Sequence, residues 1–212
     1  MIPLLFFLAA IGDDLAAAVR PVVAAENYHF SVDASNAKVE GDYQKGLPLF
    51  VRADGIDFYR QGDRLVYKQD EIWQRTRTGT LSDPLRILVP SAKVQSVRLP
   101  HEEIGQLAKA LTNLKKVENK KAEEQGQALI SGRFGPADAK QLARTEDREL
   151  ARGGMAWLWL DKGQVVKYQI EITVKGVRGN ADVDGTVTNT VTISNLGAVK
   201  LNVPAAAKKA LE

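Results

Sequence analysis

The chain has 212 residues, with 29 Lys plus Arg against 26 Asp plus Glu for a net charge of +3, two His and no Cys. A 44% hydrophobic share supplies one sizeable core, and 26% charged residues with so small an excess of bases is no polybasic surface, so nucleic acid is not an expected partner. Without cysteine there are no disulfides, no thiolate metal sites, no nucleophilic thiol and no lipid-modified N-terminal Cys.

Met1 to Ile11 is apolar throughout, and Gly12-Asp13-Asp14 ends the run. Its length suits the hydrophobic stretch of a secretory signal and is too short to cross a bilayer. No Lys or Arg precedes Arg20, a departure from the basic start of such signals, while Ala16-Ala17-Ala18 and Ala24-Ala25 offer small residues for cleavage. Residues 1–25 are therefore read as a signal peptide or N-terminal apolar segment, with a core helix as the plain alternative. Residues 26–212 are read as a single domain.

From Glu26 the pattern is a meander of short strands. Tyr28, Phe30 and Val32 alternate with His29, Ser31 and Asp33; Ser35-Asn36 turns the chain, and Ala37 to Tyr43 returns. Leu49 to Ala53 and Ile56 to Tyr59 flank Asp54-Gly55, a favoured two-residue hairpin turn because both positions accept positive φ. Gln61-Gly62-Asp63 turns again before Leu65, Tyr67 and then Ile72-Trp73. Turn signals at this spacing mark an antiparallel sheet.

After Leu99-Pro100 the period changes. Ile104, Leu107, Leu111 and Leu114 recur at helical spacing over His101 to Val117, with Glu102 and Glu103 in the first turn and Lys115 and Lys116 in the last, as the helix dipole favours. A charged run, Glu118 to Gln125, leads to a strand at Gln127 to Phe134, and Gly135-Pro136 opens a weaker helix reaching toward Leu150. A hairpin follows. Met155 to Leu160 is apolar, Asp161-Lys162-Gly163 is a three-residue connection, and Val166, Tyr168, Ile170, Ile172 and Val174 share one face of the return strand. Trp157 and Trp159 share a face with Leu158 and Leu160 opposite, so this strand should be covered on both sides, with the helix from His101 as its economical cover. A loop at Gly176 to Asn180, an alternating strand through Val183, Gly185, Val187, Val191 and Ile193, and a last strand at Val199 to Val203 closed by Pro204 complete the chain. Helices between two groups of antiparallel strands make the fold α+β.

Catalytic chemistry has little to build on. His29 and His101 are the only imidazoles, no Gly-flanked Ser nucleophile accompanies them, and no Gly-rich phosphate loop exists. Asn180-Ala-Asp182-Val-Asp184-Gly185 opens like a calcium loop but has Val191 where a bidentate Glu is required. Lys115, Lys116, Lys120 and Lys121 are interleaved with Glu118, Glu123 and Glu124, the composition of a solvated helix end. No enzyme, cofactor or metal is expected. The aromatics carry more information: Tyr28, Phe30, Phe50, Phe58, Tyr67, Trp73, Trp157, Trp159 and Tyr168 fall almost wholly in strands, where they either fill a core or line one inner face of a curved sheet.

Several phrases resemble the lipoprotein-carrier superfamily of bacterial envelopes, which includes LolA-like carriers and LprG-like lipid-binding lipoproteins. They are Tyr28-His-Phe-Ser-Val through Gly41-Asp-Tyr, the strand pair from Asp57-Phe-Tyr-Arg-Gln-Gly to Arg64-Leu-Val-Tyr with Trp73 after it, the hairpin Trp159-Leu-Asp-Lys-Gly-Gln-Val-Val-Lys-Tyr, and the close Val199-Lys-Leu-Asn-Val-Pro. The likeness spans Ala25 to Ala210 and rests on strand rhythm. It implies a curved antiparallel sheet, a half-barrel, wrapped over two or three helices, with an apolar cavity between them for lipid or acyl chains. Ligand-lining residues would then be Phe30, Phe50, Phe58, Tyr67, Trp73, Trp157, Trp159 and Tyr168. The expectation is an exported, periplasmic or cell-envelope monomer that binds a lipid or another apolar ligand and meets other envelope proteins. The alternative is a structural or protein-interaction domain of the same fold with a filled core. The absence of Cys leaves anchoring by lipidation unsupported.

Overall fold

A computed structural model describes residues 5–34, 37–69, 71–75, 94, 96–143 and 147–212, with side chains described from Gly12 onward except those of Ala37 and Gln69; the turn read at Ser35-Asn36 lies outside the described residues. Eleven antiparallel strands form one open sheet: β1 Asn27–Ala34, β2 Ala37–Gln44, β3 Leu49–Ala53, β4 Ile56–Gln61, β5 Arg64–Gln69, β6 Ile72–Arg75, β7 Thr112–Lys116, β8 Gln127–Phe134, β9 Ala151–Asp161, β10 Gln164–Arg178 and β11 Ala181–Ser194. Their order is β6-β5-β4-β3-β2-β1-β11-β10-β9-β8-β7. Five α-helices join them among the described residues: α1 Leu5–Val23, α2 Pro100–Ala110, α3 Lys120–Glu124, α4 Pro136–Leu142 and α5 Ala205–Leu211. The α+β class and antiparallel sheet read from the strand rhythm are what the chain adopts. No helix among the described residues is long and apolar enough to cross a membrane.

Contacts divide the chain into two compact units. The first comprises residues 1–24 and 99–192, the second residues 25–98 and 193–212. In the first, α1 buries Leu15, Ala18, Val19 and Val22, the i, i+3, i+4, i+7 stripe of an amphipathic helix, and packs on α2, β10 and β7. Helix α2 buries Ile104 and Leu107 and also meets α4, which lies on β9. Asn119 caps α3, its side chain accepting from the Ala122 N–H at 3.0 Å. The buried carboxylate of Asp147 accepts from the Arg178 guanidinium, which satisfies a charge that burial would otherwise penalise. In the second unit α5 packs on β4, β5 and β6, joining Ala207 and Leu211 to Tyr59, Val66 and Val203. Elsewhere in this unit Arg60 reaches the carbonyls of Val94 and Val97, donating to each at 3.0 Å.

Five local expectations change. The helix read through Val117 stops at Ala110: Leu111 is extended, Asn113 takes φ 52°, and Thr112–Lys116 is instead strand β7, paired with β8. Thr and Asn are weak helix formers, and an otherwise unpaired β8 edge offers the segment a ladder. The helix extended toward Leu150 ends at Leu142, with only a 3₁₀ turn at Arg148–Leu150. The hairpin connection is two residues, because Asp161 pairs with Gln164 and Lys162-Gly163 take φ 48° and 79°, the positive pair that matches strand twist. The loop read at Gly176 to Asn180 shrinks to Gly179-Asn180, with Arg178 paired to Ala181. Finally, Val199 to Val203 is no strand. Two of its N–H groups are taken by side chains, Val199 donating to Asn27 Oδ1 and Leu201 to Gln44 Oε1, and Pro204 leads into a helix rather than closing a strand.

Candidate functional site

Residues directly paired across strands share a sheet face, so register assigns every aromatic named from the sequence. In the second unit Phe30 pairs with Gly41, Gly41 with Val51, Val51 with Phe58, and Phe58 with Tyr67. Phe30, Phe58 and Tyr67 therefore lie on one face and are all buried. Gly41 is there because the Phe30 ring lies over it: a Cβ at that position would come within 2.7 Å of Phe30 Cζ and 2.5 Å of the Phe50 carbonyl oxygen. Phe50 and Trp73 belong to the opposite face. Phe50 pairs with Tyr59, Tyr59 with Val66, and Trp73 with Lys68 two residues along from Val66. Ring centroids are 5.4 Å apart for Phe50 and Tyr59 and 5.2 Å for Tyr59 and Trp73, and this cluster is closed by α5. Desolvation in that cluster raises the Tyr59 phenol above its ordinary pKa.

The first unit also separates its aromatics. Tyr168 pairs with Leu158 and Ile170 with Ala156, all buried, and the Tyr168 hydroxyl donates to Glu103 of α2 at 2.7 Å. Trp157 instead pairs with Gln169 and Ser131, and Trp159 with Lys167 and Leu129. Both tryptophans are half-buried on the face turned from Tyr168, and the Lys167 ammonium sits 4.4 Å from the Trp159 ring centroid. A register shift between Val165 and Lys167 produces this arrangement. The two-residue turn alone would set Tyr168 opposite Trp157; one extra residue in β10 moves it opposite Leu158 and so to the other face. Phe30, Phe58 and Tyr67 thus share one face within the second unit, and Tyr168 stands on the face of the first unit that its helices cover. Phe50, Trp73, Trp157 and Trp159 stand on the reverse faces of their own units.

Other polar candidates have local partners. His29 Nδ1 lies 2.7 Å from Asp42 Oδ1, its cross-strand neighbour. His101 opens α2, and burial lowers its pKa from the ordinary 6.5. Asp184 pairs with Lys175 at 3.4 Å, and no cluster of three or more His, Cys, Asp or Glu suited to a metal occurs among the described residues. Glu103 was the residue the sequence hid, since an acid in the first helical turn reads as a dipole partner rather than as a buried acceptor.

No protein-family model matches the chain, and no curated protein does either. Solved structures do match. The Mycobacterium tuberculosis lipoprotein LppX superposes with a TM-score of 0.56 at 16% identity, covering 92% of this chain and 99% of LppX. LprF from Mycobacterium bovis gives 0.57 at 12% identity, covering 94% and 98%. At such identities the likeness is one of fold. Along nearly its whole length the chain has the LprG-like fold of LppX and LprF, the architecture that its strand rhythm resembles.

Proposed function

We propose that the chain is an exported, non-enzymatic domain that binds a lipid or another apolar ligand between sheet and helices. The observation carrying this reading is the fold shared along nearly the full length of LppX, a lipoprotein. The family resembled by the sequence shelters acyl chains between those two layers. In the first unit the sheet side offers Ala156, Leu158, Tyr168 and Ile170, and α1 packs on β10 with Leu15, Val19 and Val22 buried. Parting the helices from these strands would open an apolar slot crossed by the hydrogen bond from Tyr168 to Glu103. Binding energy would come from apolar area removed from water, with no reacting group required. Tyr168 is the aromatic we assign to this slot, and Phe30, Phe58 and Tyr67 are those assigned to the second unit.

One observation favours a second reading. Phe30, Phe58 and Tyr168 are wholly buried, so these faces are filled by the protein's own side chains, as in a structural or protein-interaction domain without ligand. Native mass spectrometry of the full chain purified from a bacterial host, followed by extraction, separates the two. A bound acyl species is expected, lost in Ala156→Phe, which fills the slot, while near-ultraviolet circular dichroism stays native. A mass that remains unliganded when several lipids are offered leaves the second reading.

A further inference from the structure

The face of the first unit opposite Tyr168 carries a different feature. Strand β7 is irregular between Thr112 and Lys115, with Asn113 in the left-handed region at φ 52°. Bulges and strained residues of this kind concentrate beside binding sites. Beneath it is a hollow of about 230 Å³ lined by Asn113, Lys115, Ser131, Gly132, Arg133 and Met155. Ser131 is 1% exposed, yet its Oγ has no hydrogen-bond partner among the described residues. A buried hydroxyl left unpaired is costly, and such an exception asks for a reason. Lys115 is the cross-strand partner of Ser131, and Arg133 follows two residues along on the same face. Both are exposed, and among the described residues neither has an ion-pair partner. Among the described residues no acidic side chain lines this hollow; Glu171 lies in the adjoining one, where it accepts from Gln169 at 2.9 Å.

We infer that this hollow binds a phosphate group. Its lining carries a hydroxyl, an amide, an ammonium and a guanidinium, a donor set suited to the several oxygens of a tetrahedral oxyanion. Met155 and the neighbouring Trp157 provide an apolar strip for whatever the phosphate carries. The site lies on the reverse face from the proposed apolar slot and stands or falls independently of it.

Two probes identify the source of the phosphate. The full chain is titrated with inorganic phosphate by calorimetry, and floated with phosphatidylcholine vesicles that contain or lack phosphatidylglycerol. Arg133→Ala is expected to weaken binding about tenfold or more, because a charged hydrogen bond is lost. Ser131→Ala should weaken it less while raising the unfolding midpoint, since the unpaired hydroxyl is gone. Lys175→Ala, on another strand, serves as the charge control and should change nothing. Saturable, Arg133-dependent binding of inorganic phosphate supports a soluble phosphate ligand; the same dependence seen only on anionic vesicles supports a lipid headgroup. Absence of both, equal losses in Arg133→Ala and Lys175→Ala, or no effect of Ser131→Ala would overturn the site.

Discussion

Starting the chain at Glu26 removes a helix whose inward residues Leu15, Ala18, Val19 and Val22 are 2%, 1%, 5% and 0% exposed. Burying a Leu or Val side chain contributes about 1.5–3 kcal/mol, so the three larger ones together contribute about 5–9 kcal/mol. That is an upper figure, because the denatured chain already hides part of this surface. Even half of it is a large fraction of the ~5–15 kcal/mol that holds a domain folded. Urea unfolding followed by tryptophan fluorescence reads the first unit through Trp157 and Trp159, and near-ultraviolet circular dichroism reads the packing around all three tryptophans. The truncated chain should lose the cooperative transition of the first unit, and Val22→Asp in the full chain should do nearly the same. Val23→Asp, at a position 46% exposed, should be close to neutral. If residues 26–212 unfold at the same midpoint and with the same amplitude as the full chain, α1 adds nothing to the fold and this reasoning fails. The outcome bears directly on export, because cleavage after Ala25 would take a core helix with the signal.

Three further outcomes follow from particular contacts. Tyr168→Phe removes one donor to the buried side chain of Glu103, so it should cost about 1–3 kcal/mol in urea titration; an unchanged midpoint would show that this hydrogen bond adds nothing to stability. Gly154→Ala places a Cβ 2.2 Å from the Glu171 carbonyl oxygen and 2.3 Å from Phe134 Cζ, and overpacking against backbone should cost about 1–3 kcal/mol or more and lower the melting temperature. His101 titrates below 6.5 because burial disfavours its charged form, so the unfolded chain takes up the proton first. Its contribution to stability is complete above pH 6.5 and is lost as pH falls through that value toward the folded pKa; His101→Gln should flatten this limb of the stability profile.

What was legible in the sequence was periodic. Alternation located β1 to β5, β8 and the long hairpin, and Asp54-Gly55 stated its own turn, with φ 51° and 80°. What failed were positions where one residue decides a face. Nothing in Val165-Val166-Lys167 announces an extra residue in β10, because two adjacent valines fit either face, yet that residue separates Trp157 from Tyr168. The spacing of Leu107, Leu111 and Leu114 fits a helix as well as a helix followed by a strand, and only the pairing of β7 with β8 resolves it. At the C-terminus, Ala205–Leu211 is too short to show a period, and its helix is fixed by Tyr59 and Val66 far back in the chain. The phosphate-type hollow was invisible for a related reason: Lys115 and Arg133 look like ordinary surface charges until register sets them on either side of a buried hydroxyl.

The division of the chain also orders its birth. Helix α1 leaves the ribosome before its partners α2 and β10, which begin at Pro100 and Gln164. The second unit, by contrast, has β1 to β6 in hand early and waits only for the segment from Ile193 to the end. This helix is therefore synthesised well before the elements that cover it, and contacts this distant in sequence are slow to close. During that interval the nascent chain exposes an apolar surface of the kind that holding chaperones cover. A segment that ends as core begins as a liability.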